Sequence, residues 1–126
     1  MLFGEPPDQQ SLRDVSLRSL AHLGDAVFEL YQREREILKA ATPRALHKNV
    51  VLKVNAEHQS VLLDKIEAYL SDAEKDLVRR ARNLKPAGYR KIDQAVYRRS
   101  TAFEALVGYL FLTDMERLEE ILSLNP

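Results

Sequence analysis

The sequence predicts an all-α domain of about six helices, and three observations carry that prediction. Apolar residues recur at steps of three or four along most of the chain. No segment sustains a two-residue alternation with β-branched enrichment. Recognisable cap residues stand ahead of several of the periodic runs. The chain has 126 residues, 45% of them hydrophobic, which is enough for one core without staples.

Residues 1–10 contain Pro6 and Pro7 and lack periodicity, so they read as a flexible tail ahead of a domain over residues 11–126. Ser16 can cap a first helix through Leu17, Leu20, Leu23, Val27, Leu30 and Tyr31, running to about Ala40. Thr42-Pro43 is a cap followed by proline at the first helical position, where its missing N–H costs nothing, and opens a second helix to about Val54. A third spans roughly Glu57 to Leu70 and is expected to bury Val61, Leu62, Ile66 and Leu70. Ser71 with Glu74 is a capping-box pattern for a fourth helix ending near Leu84, where Lys85-Pro86-Ala87-Gly88 breaks it. A fifth, from about Asp93 to Leu112, carries Val96, Phe103, Leu106, Val107, Leu110 and Phe111. Thr113 and Glu116 form another capping-box pattern, opening a last helix through Leu122.

Composition narrows the function classes. The chain has no cysteine, which excludes a disulfide framework, a thiolate metal site and a Cys nucleophile. No apolar run reaches membrane-spanning length, and the N-terminal residues lack a signal-peptide pattern. These features point to a soluble, cytoplasmic domain with no membrane partner.

Nineteen Lys and Arg balance nineteen Asp and Glu, but the balance is not local. From Lys75 to Arg99 nine basic residues face only Asp76 and Asp93, a net of +7, so the rest of the chain carries −7. Either these bases cover the outer faces of two helices, or the segment is an anion surface. Arg79, Arg80, Arg82 and Lys85 end one helical pattern, and Arg90 and Lys91 lie in the loop after it. Bases on both sides of a loop suit phosphate binding.

Two helices carry an acid among apolar residues. Asp25 lies between Leu23-Gly24 and Ala26-Val27-Phe28, and Glu104 between Ala102-Phe103 and Ala105-Leu106-Val107. An unpaired buried carboxylate costs several kcal/mol, on the order estimated for buried ions, unless a cation or donors meet it. Each acid has a nearby glycine, Gly24 or Gly108, at a helix-interior position where glycine costs about 1 kcal/mol against alanine. Such glycines make sense where two helices cross closely. Two acids brought together across that crossing would select a hard divalent cation such as Mg²⁺. The alternative is that each acid sits at the edge of its apolar face, paired with an arginine such as Arg98 or Arg99.

At these residues the sequence resembles a known family. Leu-Gly-Asp-Ala-Val at 23–27 resembles the signature helix of the ribonuclease III family, and residues 103–112 resemble that family's second acidic motif. The likeness is to the Mini-ribonuclease III branch, which has a catalytic domain and no double-stranded-RNA-binding domain. Leu46-His47, the run Arg80-Ala81-Arg82-Asn83 and Tyr97 followed by Ser100 to Glu104 support it, over about residues 16–123.

The resemblance implies a ribonuclease III endonuclease-domain fold acting as a symmetric homodimer. It implies Mg²⁺-dependent hydrolysis of double-stranded RNA to 5′-phosphate and 3′-hydroxyl ends, typically on the stem joining the ends of precursor 23S ribosomal RNA. Asp25 and Glu104 would be the catalytic metal ligands. His47, Arg79, Arg80, Arg82, Lys85, Arg90 and Lys91 would bind RNA, and His22, Leu23 and Phe28 would line the dimer interface. Ribosomal proteins are candidate partners.

Larger members of the family have two further acids, at the positions of Ala21 and Thr101 here, so the number of metal ions stays open. Thr101 could still hold a metal-bound water, Glu29 is read as structural or solvent-facing, and His58 as a surface residue. The alternative function is a non-catalytic RNA-binding protein on the same fold, associated with the ribosome. A pure binder has no reason to keep two acids beside RNA phosphates. A third reading, a helical protein-interaction domain, explains neither the glycines nor the joint motif match.

Overall fold

The computed structural model describes residues 2–85 and 93–124, and among them helices account for all regular structure. The order is α1 (Gln9–Arg13), α2 (Leu17–Glu36), α3 (Pro43–Val54), α4 (Ala56–Ile66), a single 3₁₀ turn (Glu67–Tyr69), α5 (Asp72–Arg82), α6 (Gln94–Thr113) and α7 (Met115–Ser123). The all-α expectation holds, with one short helix more than the periodicity predicts. That helix, α1, buries no residue, so it leaves no apolar stripe in the sequence. Asp8 caps it, accepting from the Ser11 N–H at 2.7 Å.

The caps set most of the helix starts. Ser16 accepts from Ser19 N at 3.0 Å, and Thr42 from Ala45 N at 3.1 Å. Ser71 and Glu74 form the full capping box, each side chain accepting the other's backbone N–H. The cap of α7 differs from expectation. Asp114 accepts from Arg117 N at 3.0 Å, while the Thr113 hydroxyl donates back to the Tyr109 carbonyl at 2.8 Å. Thr113 is thus the last residue of α6, and the carboxylate beside it is the better acceptor for an exposed helix start.

Helices α2 and α6 pack along each other as the central pair. Helices α4, α5 and α7 pack on α6, and α3 packs on α2 and α4. Phe28 of α2 meets Phe103 of α6 edge to face at 5.0 Å between ring centroids. Around them Leu63, Ile66, Leu106, Val107, Leu118 and Ile121 are fully enclosed. Val61 departs from expectation and is 49% exposed. The inward face of α4 is set by Gln59, Leu62, Leu63 and Ile66, which turns Val61 outward.

Arg117 ties α7 to α5 and to the chain between α4 and α5. Its guanidinium donates to both Glu74 oxygens, at 2.9 and 2.8 Å, and to the Tyr69 carbonyl at 2.8 Å. The fork geometry matches the carboxylate edge, which a lysine could not reproduce. Because this ion pair supports the α5–α6–α7 side, it also supports the helix that carries Glu104.

Candidate active site

The crossing of α2 and α6 depends on two glycines. A Cβ added at Gly24 would lie 1.7 Å from the Glu104 carbonyl oxygen, and one at Gly108 would lie 2.0 Å from that of Leu20. Both obstacles are backbone, so no side-chain rotation relieves them. The glycines therefore bring the two helices into backbone contact at the level of the acids.

Asp25 follows Gly24 and is exposed at the edge of the crossing, while Glu104 faces it half-buried from α6. The Asp25 carboxyl is within hydrogen-bonding reach of the Glu104 carboxyl. Burial first, then the hydrogen bond and the negative charge of Asp25, push Glu104 up to about 9, against an opposing hydrogen bond from Gln59. Without a cation the pair thus holds a proton at neutral pH. Neither Arg98 nor Arg99 neutralises it in the ion pairs of the described residues. Arg99 turns to α4, donating to the Ser60 hydroxyl at 2.8 Å and lying 3.8 Å from Asp64.

Two oxygen donors that repel each other are a fit for a hydrated divalent ion, which needs only one or two protein carboxylates and keeps several waters. No cluster of three or more His, Asp or Glu suited to a metal occurs among the described residues. Ala21 is buried, and the Thr101 hydroxyl donates to the Tyr97 carbonyl at 3.1 Å.

Sequence reasoning missed Gln59 and Ser100. Gln59 is 1% exposed and Ser100 6% exposed, and the Ser100 hydroxyl donates to Gln59 Oε1 at 2.5 Å. The available signal was a polar residue at a core position, three residues before Leu62.

The expected RNA-binding residues fall into separate groups. Arg79 and Arg80 lie exposed on α5, both paired with Asp76 at 2.7 and 3.0 Å, and Arg82 reaches Glu67 at 3.4 Å. A groove between α4, the 3₁₀ turn and α5 is lined by Lys75, Arg79 and Arg82 together with Asp64 and Glu67. Lys85 is exposed, and its carbonyl accepts from Arg18 at 2.5 Å, joining the end of α5 to the start of α2. Arg90 and Lys91 lie outside the described residues. His47 is exposed on α3, apart from this group, beside Arg33, Pro43, Leu46 and Val50.

Of the expected dimer contacts, His22 is exposed and Leu23 half-buried on α2. Phe28 has no surface to offer a partner, since it is 0% exposed inside the subunit's own core. It lies one turn after Gly24 on the inward face, so helical spacing removes it from the interface. Glu29 pairs with Arg33 at 2.7 Å. His58 is half-buried rather than at the surface. Burial, then the charges of Lys65 and Lys53, hold its pKa below the usual histidine value.

No helix among the described residues is long and apolar enough to cross a membrane. The Ribonuclease III domain family model matches residues 18–115, which spans both acids. A Mini-ribonuclease 3 from Gloeobacter violaceus is 44% identical over 93% of this chain and 87% of its own length. One from a Thermoanaerobacter species is 43% identical over 93% of this chain and 84% of its own. The crystal structure of a Fusobacterium nucleatum protein superposes with a TM-score of 0.79 and 34% identity, over 89% of this chain and 92% of that one. With fold, paired acids and relatives in agreement, the chain belongs to the ribonuclease III family, in its Mini-ribonuclease 3 branch, and is an endoribonuclease.

Proposed function

We propose that the enzyme hydrolyses double-stranded RNA with Mg²⁺ and matures the ends of 23S ribosomal RNA from its precursor stem. The observation that carries the chemistry is the Asp25–Glu104 pair, brought together by the glycine crossing. When bound there, Mg²⁺ supplies an activated water for in-line attack on the phosphodiester and neutralises charge on the leaving oxygen. Asp25 presents its carboxyl from the exposed edge of α2, and Glu104 would release its proton to solvent and present its own carboxylate from α6. Phe28, Phe103 and the core behind them keep both helices from shifting as charge develops.

Substrate grip is assigned to α5 and the loop after it. Arg79, Arg80, Arg82, Lys85, Arg90 and Lys91 meet backbone phosphates, with His47 as a separate contact. Such contacts favour A-form shape over base sequence. Asp76 and Glu67 hold three of these arginines in place before RNA arrives and exchange them for phosphate. A homodimer would supply one site per strand. His22 and Leu23 remain its proposed contacts, and Leu30, 51% exposed two turns further on, extends the same region of α2. Residues 11–126 act as the catalytic domain, and ribosomal proteins are candidate helpers on the natural substrate.

The test is incubation of the protein with an end-labelled RNA duplex carrying the 23S precursor stem, in Mg²⁺ or in EDTA. Cutting in Mg²⁺ alone, leaving 5′-phosphate and 3′-hydroxyl ends, is the expected result. Binding without cutting would instead favour a non-catalytic RNA-binding protein.

A further inference from the structure

Gln59 is enclosed within the subunit, and its surroundings assign both ends of its amide. The Val54 carbonyl can only accept, so the group 3.2 Å from it is Nε2. Oε1 then faces Ser100, whose hydroxyl donates to it. Nε2 has a second proton, and the amide is close enough to the Glu104 carboxyl to favour its charged form. Ser100 and Glu104 are one turn apart on α6, so Gln59, bonded to Ser100 from α4, is set beside the Glu104 side chain.

The direction of control follows from this arrangement. Two fixed partners, the Val54 carbonyl and the Ser100 hydroxyl, orient the amide before Glu104 is considered. Glu104 therefore follows Gln59, and not the reverse. A glutamate side chain has three rotatable bonds, and among the described residues two carboxylates, Asp25 and Glu104, serve this site, so the angle of each one matters. We propose that Gln59, held by Ser100 and the Val54 carbonyl, is a positioning residue that fixes the Glu104 carboxyl for the divalent cation and the scissile phosphate. This rests on the reading of Asp25 and Glu104 as the hydrolytic pair.

The test uses Mn²⁺ as a spectroscopic probe of the whole chain, with free Mn²⁺ read by electron paramagnetic resonance. Gln59→Leu keeps the bulk of the side chain and removes both ends of the amide. Its Mn²⁺ dissociation constant should rise about 10-fold or more, as is usual when a residue orienting a metal ligand is lost. The Mg²⁺ concentration for half-maximal cleavage should rise in parallel, while RNA affinity in EDTA stays the same. Ser100→Ala removes only the outer hydrogen bond and should shift Mn²⁺ affinity in the same direction by less. It also decides the matter should Gln59→Leu fail to fold. A merely structural role would lower the melting temperature and leave the Mn²⁺ affinity of the folded protein alone, which would overturn the proposal. Asp25→Asn and Glu104→Gln are measured alongside. Should they bind Mn²⁺ like the wild type, the reading of the pair itself fails, and the Gln59 assignment with it.

Discussion

Replacing Gly24 by alanine separates two effects of opposite sign. Helix propensity alone predicts stabilisation of about 1 kcal/mol, because glycine is the poorer helix former. The crossing predicts the reverse. The new Cβ would lie 1.7 Å from the Glu104 carbonyl oxygen, whereas ordinary contact begins at 3.4 Å, so α2 and α6 must part by about 1.7 Å at that point. Backbone on both sides leaves no cheaper relief. Overpacking of this kind costs about 3 kcal/mol or more, so the net loss is about 2 kcal/mol or greater. For a domain of this size that lowers the melting temperature by roughly 8 °C. Because the displaced atoms belong to Glu104, cleavage should fall further, by about 100-fold for a shift of this order near the chemistry. Thermal unfolding followed by circular dichroism, and single-turnover cleavage at a temperature where both proteins are folded, measure the two effects. A melting temperature equal to or above the wild type, with cleavage within about threefold, would refute the argument.

The remaining predictions concern charge. The pKa of Glu104 is raised to about 9 in the folded, metal-free protein, so folding takes up a proton and stability is lost as pH rises from the usual glutamate value towards 9. Urea midpoints in EDTA should fall over that range, and Glu104→Gln should remove most of the slope. Glu74 has the opposite sign. The hydrogen bonds from Arg117 hold its pKa below the usual carboxylate range, so its contribution is present above that range and lost as pH falls through the lowered value. Arg117→Met should destabilise by about 3 kcal/mol in urea at pH 7, by leaving a buried carboxylate unpaired. On the substrate side, Arg82→Ala with Lys85→Ala should weaken duplex binding and reduce the slope of log K against log salt by roughly 2. An unchanged slope would remove these residues from the grip.

The fold was largely legible because its caps and apolar spacing agree. Ser16, Thr42 and Ser71 each begin a helix where the sequence places one. The site was legible in part, since Gly24 and Gly108 mark a close crossing with an acid beside each, while the spacing left open whether Arg98 or Arg99 pairs with those acids. Gln59 was not, because its role depends on α4 coming to rest against α6, a contact that no local spacing records. Phe28 illustrates the reverse error. It stands near His22 and Leu23 in sequence but faces the core, because the five residues from Leu23 to Phe28 turn the helix by about 140° to another face. Thr113 was misread because two adjacent residues could cap α7, and the choice fell to the carboxylate.

The central claim is that Asp25 and Glu104 together hold the ion that cuts RNA. Single-turnover cleavage of a labelled RNA hairpin by Asp25→Asn and Glu104→Gln, in Mg²⁺ and in EDTA, tests it most directly. Both variants should bind the hairpin like the wild type. Both should lose cleavage by roughly three orders of magnitude, the equivalent of several kcal/mol of charge stabilisation. Cleavage at the wild-type rate by either variant, or cleavage by the wild type in EDTA, would contradict the account.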